Sequence, residues 1–236
     1  TYSGYGASRW IQGQYDYYEI KMTYFSTAEQ EAEVTQKLAE VYQELGLNDS
    51  MNDYQKTVLI YDYITDHVSY DYDLEENCYC AYAALIKQKA VCQGYSNLMY
   101  RMLNDQGISA RIMAGNVGTE NHSWNILKLG NKYYNADSTW DAGMRLKGYG
   151  YFLKGSRDFT DHVVNDLFNK EFSTEAFQKN FPVSEVSYHE IRNLSEALVT
   201  FPEKEILYTG MEIRPDITLT LGGKVLKNGE DYTVTY

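Results

Sequence analysis

Residues 89–103, KAVCQGYSNLMYRML, and residues 120–141, ENHSWNILKLGNKYYNADSTWD, decide the architecture of this chain. In the first stretch Tyr95, Leu98, Met99, Met102 and Leu103 recur at the spacing of one helical face, and Gly107 supplies a stop. The expected helix therefore begins near Cys92. The second stretch holds two strand-like runs, HSWNILKL and KYYNAD, on either side of Gly130-Asn131, a hairpin-turn dipeptide. A two-residue turn there sets Leu129 opposite Lys132, Trp124 opposite Asp137 and His122 opposite Thr139. His122 and Asp137 then share one face as diagonal neighbours, about 7–8 Å apart at the backbone and within side-chain reach.

Upstream of this block, Tyr18, Ile20, Met22 and Tyr24 alternate with polar residues and predict a strand, whereas residues 1–16 show no period. Thr27 with Gln30 forms a capping-box pattern. Val34, Leu38, Val41, Tyr42 and Leu45 then follow on one helical stripe, and Gly46 ends it. A second helix is expected from about Asp53 to about His67, with Val58, Tyr61, Ile64 and Val68 inward. YDYDLEEN, residues 70–77, reads as a solvated acidic loop, and CAYAALIKQ, residues 80–88, as a short helix. ARIMAG, residues 110–115, predicts a strand, while residues 151–168 and 173–181 read as mixed or helical. Helices first and an antiparallel sheet after them is α+β organisation. From about Leu198 the pattern changes to short alternating strands with Gly-containing turns, which predicts a small C-terminal all-β segment. The expected domains are residues 1–195 and 198–236, with a flexible joint near Ser195–Pro202.

Composition narrows the function classes. With 21 Lys and Arg against 33 Asp and Glu, the net charge is −12, which argues against a nucleic-acid partner, since phosphate contacts need clustered cations. No apolar run approaches the roughly 18 residues of a membrane span. The 24 tyrosines, among them Tyr15, Tyr17, Tyr18, Tyr24, Tyr61, Tyr63, Tyr70 and Tyr72, are expected at half-buried packing positions. The three cysteines, Cys78, Cys80 and Cys92, are too few and too odd in number for a disulfide framework. A zinc site from these cysteines and His67 is disfavoured by the C-x-C spacing. The acidic run DYDLEE lacks the glycine-bearing calcium-loop pattern. No metal and no cofactor are expected.

Cys92 at a helix start sits where the dipole and free N–H groups stabilise a thiolate and a developing oxyanion. Alone, this position serves a buried structural thiol equally well. His122 beside Asp137 would likewise be an ordinary polar pair in isolation. The three together favour nucleophilic catalysis: Asp137 orients the imidazole and the other ring nitrogen faces the thiol. His162, in TDHVV, reads as structural, with a role near the cleft as the alternative.

VCQGYS, HSWN and YNADSTWD, in that order, resemble the three catalytic boxes of bacterial transglutaminase-like proteins, and AYAALI and YFLKGS…F..DH are similar to the family's flanking segments. The resemblance covers roughly residues 54–164. It implies a papain/transglutaminase-like core, with Cys92 as nucleophile, His122 as general base and acid, and Asp137 as the orienting residue. Trp124 and Trp140 are expected to pack near the His and Asp strands, and the Cys92 N–H is the oxyanion donor named. The implied activity is acyl transfer on amides of protein or peptide substrates, with cell-wall peptide among the candidates. Hydrolysis is preferred, transglutamination is the alternative, and a non-catalytic cell-surface binding module is the rival. The C-terminal YTG…DYTVTY pattern resembles immunoglobulin-like repeats of bacterial surface proteins. A secreted or cell-surface location, a removed signal peptide and sequence beyond Tyr236 are therefore expected.

Overall fold

The computed structural model describes residues 2–74, 77–144, 149–165, 170–188, 198–201, 217–221, 224–228, 232 and 234. The chain divides into two units, Thr1–Tyr188 and His189–Tyr236. The first opens with a two-stranded hairpin, β1 (Tyr2–Gln12) and β2 (Tyr15–Tyr24), paired antiparallel from Gln12↔Tyr15 outward. The turn needs Gly13, whose φ of 65° is left-handed. A strand at β1 departs from the aperiodic reading of residues 1–16. Gly and Ser obscure its alternation, and pairing with β2 creates the strand. The hairpin also corrects the expected burial of its tyrosines, because Tyr15, Tyr18 and Tyr24 are all more than 60% exposed.

Two helices follow, α1 (Ala28–Glu44) and α2 (Asp53–His67). Both start with complete capping boxes, Thr27 with Gln30 and Asn52 with Gln55. α1 buries Val34, Leu38 and Val41 as its stripe dictates. The buried side of α2 is wider than predicted. Thr57, Ile60, Tyr61, Tyr63, Ile64 and Thr65 are buried, and Val58 is only half-buried, because neighbours cover the helix on more than one side. The acidic loop is not wholly solvated either: Asp71 is buried and paired with Lys89 at 3.3 Å, while Glu75 and Glu76 lie outside the described residues. A short parallel pair, β3 (Ser69–Tyr70) and β4 (Lys89–Ala90), leads into α3 (Cys92–Asp105). Between them the expected helix is a single π-helical turn, Ala83–Lys87. Every residue of the predicted α3 stripe is fully buried.

The sheet is antiparallel in the order β7-β6-β5-β8, built from β5 (Ala110–Val117), β6 (Glu120–Leu129), β7 (Lys132–Ala136) and β8 (His162–Val164). Its β6–β7 register runs from Leu129↔Lys132 to Asn125↔Ala136, as the Gly130-Asn131 turn requires. Both faces are covered, which explains why β6 is buried almost throughout. Leu127 and Leu129 join the main core with α3, while Trp124 and Ile126 join a second cluster with Met113, Tyr133, Phe159 and Phe177. Residues 151–165 contribute β8 instead of a helix, while α4 (Glu175–Asn180) is helical as read. The second unit contains a small sheet, β9 (Leu198–Thr200), β10 (Thr218–Leu221) and β11 (Lys224–Val225), in the order β11-β10-β9. Half of the proposed joint and most of the YTG segment lie outside the described residues. No helix among the described residues is long and apolar enough to cross a membrane.

β8 reaches the sheet over a glycine. A Cβ on Gly115 would meet the Val163 carbonyl oxygen at 2.1 Å and the Trp124 ring at 2.9 Å. Gly115→Ala should therefore destabilise the protein by about 1–3 kcal/mol and lower Tm by roughly 5 °C. Gly4→Ala, in open space, should leave Tm within about 1 °C. Calorimetry showing equal Tm for both would contradict the tight β5–β8 seating.

Candidate active site

The site assembles at one end of the sheet. Hydrogen bonding starts with Asp137, the residue after β7, which is 1% exposed. Its Oδ1 accepts from the backbone N–H groups of Thr139 at 2.9 Å and Trp140 at 3.3 Å. Its Oδ2 accepts from His122 Nε2 at 2.6 Å and from His162 Nε2 at 3.0 Å. Burial alone would push this carboxyl up. The bonds and charges of the two histidines outweigh that and hold it below the ordinary carboxylate value.

His122 lies on β6, with Trp140 and Trp124 ring centroids 5.7 and 6.4 Å away. Cys92 lies close enough to favour its protonated form. Burial favours the neutral ring, but the hydrogen bond to Asp137 and the charges of Asp137 and Cys92 overcome it and push His122 up to about 9.

Cys92 is half-buried at the first position of α3. Val91 caps that helix with no side-chain hydrogen bond, so the first-turn N–H groups are available to a thiolate or an oxyanion. Gly94 lets the turn pack closely: a Cβ there would meet Ala90 at 2.6 Å and the Cys78 carbonyl at 2.9 Å. The turn is tied to β6 through Ser96 Oγ and Ser123 Oγ at 2.5 Å, and through Asn125 Nδ2 donating to the Ser96 carbonyl at 3.0 Å. A cleft of about 810 Å³ opens beside His122, with Tyr70, Tyr72, Glu120, Thr139 and Trp140 among its walls.

The structure thus brings Cys92, His122 and Asp137 together, and adds groups that the sequence reading did not assign. His162 shares Asp137 Oδ2 with His122. Tyr61 Oη lies 2.8 Å from both the Asp137 carbonyl and Asp141 Oδ2, and Asp141 also accepts the N–H groups of Gly150 and Tyr151 at 2.9 Å. Burial raises Asp141 above the usual carboxylate range. The available signal was the DH dipeptide of TDHVV and the second Asp of DSTWD. His122, Asp137 and His162 also place ligand-capable atoms within 4.8 Å of one another. Separations of 2.6 and 3.0 Å across Asp137 Oδ2 are those of hydrogen bonds, shorter than the roughly 3.3 Å between ligands of a tetrahedral ion with bonds near 2.0 Å.

Residues 40–138 match the family model described as the transglutaminase-like superfamily. That match takes in 99 of the 236 residues, from within α1 to just past Asp137, on an α+β core. Among solved structures, the crystal structure of a TGase is similar over 56% of this chain and 43% of that chain, at 16% identity and a TM-score of 0.43. A candidate cysteine protease from Cytophaga hutchinsonii is similar over 48% of this chain and 39% of that one, at 20% identity and a TM-score of 0.40. This chain therefore spans less than half the length of either. No curated protein matches it.

The raised His122 value links the site to stability. The folded value of about 9 lies above the ordinary 6.5. The interaction therefore stabilises the fold fully below about pH 6.5, and that contribution is lost as the pH rises through about 9, with a ceiling on the order of 3 kcal/mol. Denaturant titrations should show wild-type stability falling across this window and a flatter profile for His122→Gln. Parallel profiles would show that His122 is not held protonated by the fold.

Proposed function

We propose that this domain cleaves amide bonds of protein or peptide substrates through a thioester on Cys92, with water as the usual acceptor. The observation that carries this reading is the His122 ring bonded through Nε2 to Asp137 at 2.6 Å, with Cys92 close enough to favour the protonated ring. With the thiol proton carried by His122, the thiolate adds to the amide carbonyl. The oxyanion meets the N–H of Cys92 at the α3 N-terminus. The imidazolium then gives its proton to the departing amine, and the C–N bond breaks to leave the thioester. Water, losing a proton to His122, attacks that thioester. Collapse releases a carboxylic acid, and the returned proton restores the thiol. Asp137 keeps the ring in the required tautomer and offsets its positive charge.

The half-buried Cys92 and a Trp140 that is 42% exposed support access of water. Asp66 and Glu120 in the cleft lining favour aminolysis as the second reading, since two acidic groups concentrate a cationic amine acceptor. We further read residues 198–236 as part of an immunoglobulin-like module and the protein as an exported bacterial surface enzyme, on the strength of the YTG…DYTVTY pattern and the acidic charge.

Steady-state cleavage of glutamine-containing peptides tests the proposal. Cys92→Ala should remove activity, His122→Ala should lower kcat on the order of 10³-fold or more, and Asp137→Asn by a comparable factor. A primary amine in the assay should divert a minor share of product to the substituted amide. Undiminished cleavage by Cys92→Ala would remove the thioester mechanism. Amide exchange as the dominant product would replace hydrolysis with transfer.

A further inference from the structure

His162 is a buried titratable group that the proposed mechanism does not use. Its side chain is fully buried. The Phe159 ring lies nearly parallel to it at 3.9 Å, and Trp124, Trp140 and Tyr151 close the remaining sides with centroids 5.1, 5.3 and 5.4 Å away. These walls fix the ring plane. Nε2 points at Asp137 Oδ2, 3.0 Å away, and Nδ1 at Asp161 Oδ1, 2.7 Å away. The other Asp161 oxygen accepts the Tyr151 hydroxyl at 2.8 Å.

Ionised carboxylates only accept hydrogen bonds. Making both bonds therefore takes two N–H groups, and the ring that carries both is the imidazolium. A neutral ring would aim a lone pair at one carboxylate oxygen in a dry pocket, which is repulsive. Both carboxyls are suited to the ionised form. Burial raises each, but hydrogen bonds from His122 and His162 pull Asp137 down, and those from His162 and Tyr151 pull Asp161 down.

We propose that His162 is a positioning residue of this site: held as an imidazolium between Asp161 and Asp137, it occupies half of Asp137 Oδ2 and thereby limits how tightly that carboxylate grips the proton on His122. The inference rests on the acyl-transfer reading for its purpose, though its geometry stands apart from it. Charges then alternate along a chain of four side chains: Asp161 negative, His162 positive, Asp137 negative and His122 positive. Without His162, one buried carboxylate faces one imidazolium, and the grip on the His122 proton tightens. A tighter grip makes His122 a poorer acid toward the departing amine, so kcat falls more than KM changes. The titratable groups facing the two rings are Asp137, Asp161, Tyr151 and Cys92, with Asp141 behind Asp137; Trp124, Trp140 and Phe159 complete the enclosure without charge.

The test is nitrogen NMR of the histidine rings in the full chain, which needs no substrate. Wild type should show both His162 ring nitrogens protonated at neutral pH. In His162→Gln, which keeps a neutral donor, the midpoint of His122 should move up by about one pH unit. Asp161→Asn, at a side chain 43% exposed and therefore safe for folding, removes the anchor and should move His122 in the same direction, with kcat falling on the order of 10-fold at nearly constant KM. A neutral His162 in wild type, or a His122 midpoint unmoved in both folded variants, overturns the proposal even if the protein cleaves amides. A protonated His162 with the expected His122 movement in a protein that cleaves nothing sinks the acyl-transfer reading and leaves the positioning role standing.

Discussion

The carboxylate of Asp137 is the constraint on which the site depends. A buried anion costs several kcal/mol unless it is paired and hydrogen-bonded, and Asp137 meets this with four donors: two backbone N–H groups on Oδ1 and two imidazoles on Oδ2. The four donors come from three places in the chain. The turn after β7 supplies the amides, β6 supplies His122, and β8 supplies His162. Satisfying one carboxylate therefore fixes the mutual position of three chain segments. Tyr61 on α2 and the buried Asp141 hold the same turn from behind.

The two-faced sheet completes the arrangement. One face of β6 packs on α3 through Leu127 and Leu129 and through the Ser96–Ser123 and Asn125–Ser96 hydrogen bonds, so the first turn of α3 is located by the strand that carries the histidine. The opposite face carries His122 and Trp124 toward the aromatic cluster. Cys92 and His122 thus come from different layers, and small polar contacts between α3 and β6 set their alignment. Gly94 and Gly115 serve the same end, since a methyl group at either would push apart backbones that approach closely.

Much of this was legible in the sequence because it is local. The α3 stripe, its start at Cys92 and the Gly130-Asn131 register all follow from spacing within one or two turns, and the register alone put His122 and Asp137 on one face. What was not legible depends on tertiary partners. β1 has little alternation of its own and exists through pairing with β2. Asp71 reads as a loop acid until Lys89 is folded beside it. The stripe of α2 reads as one face because sequence periodicity cannot reveal how many neighbours a helix has. His162 lay in a segment that read as mixed, and β8 becomes a strand only by joining β5 across Gly115. The role of such a residue cannot be read from spacing, since its partner Asp137 lies 25 residues away.

The central claim is that chemistry runs through a covalent bond to Cys92. Rapid acid quench during turnover of a glutamine-containing peptide, followed by peptide-level mass spectrometry, addresses it directly. The account predicts an acyl adduct confined to the peptide bearing Cys92, removed by hydroxylamine as a thioester should be, and accumulating when His122 is replaced by a weaker base so that the second step is slowed. Product formation with no adduct at Cys92, or an acyl group carried by Cys78 or Cys80, would contradict it.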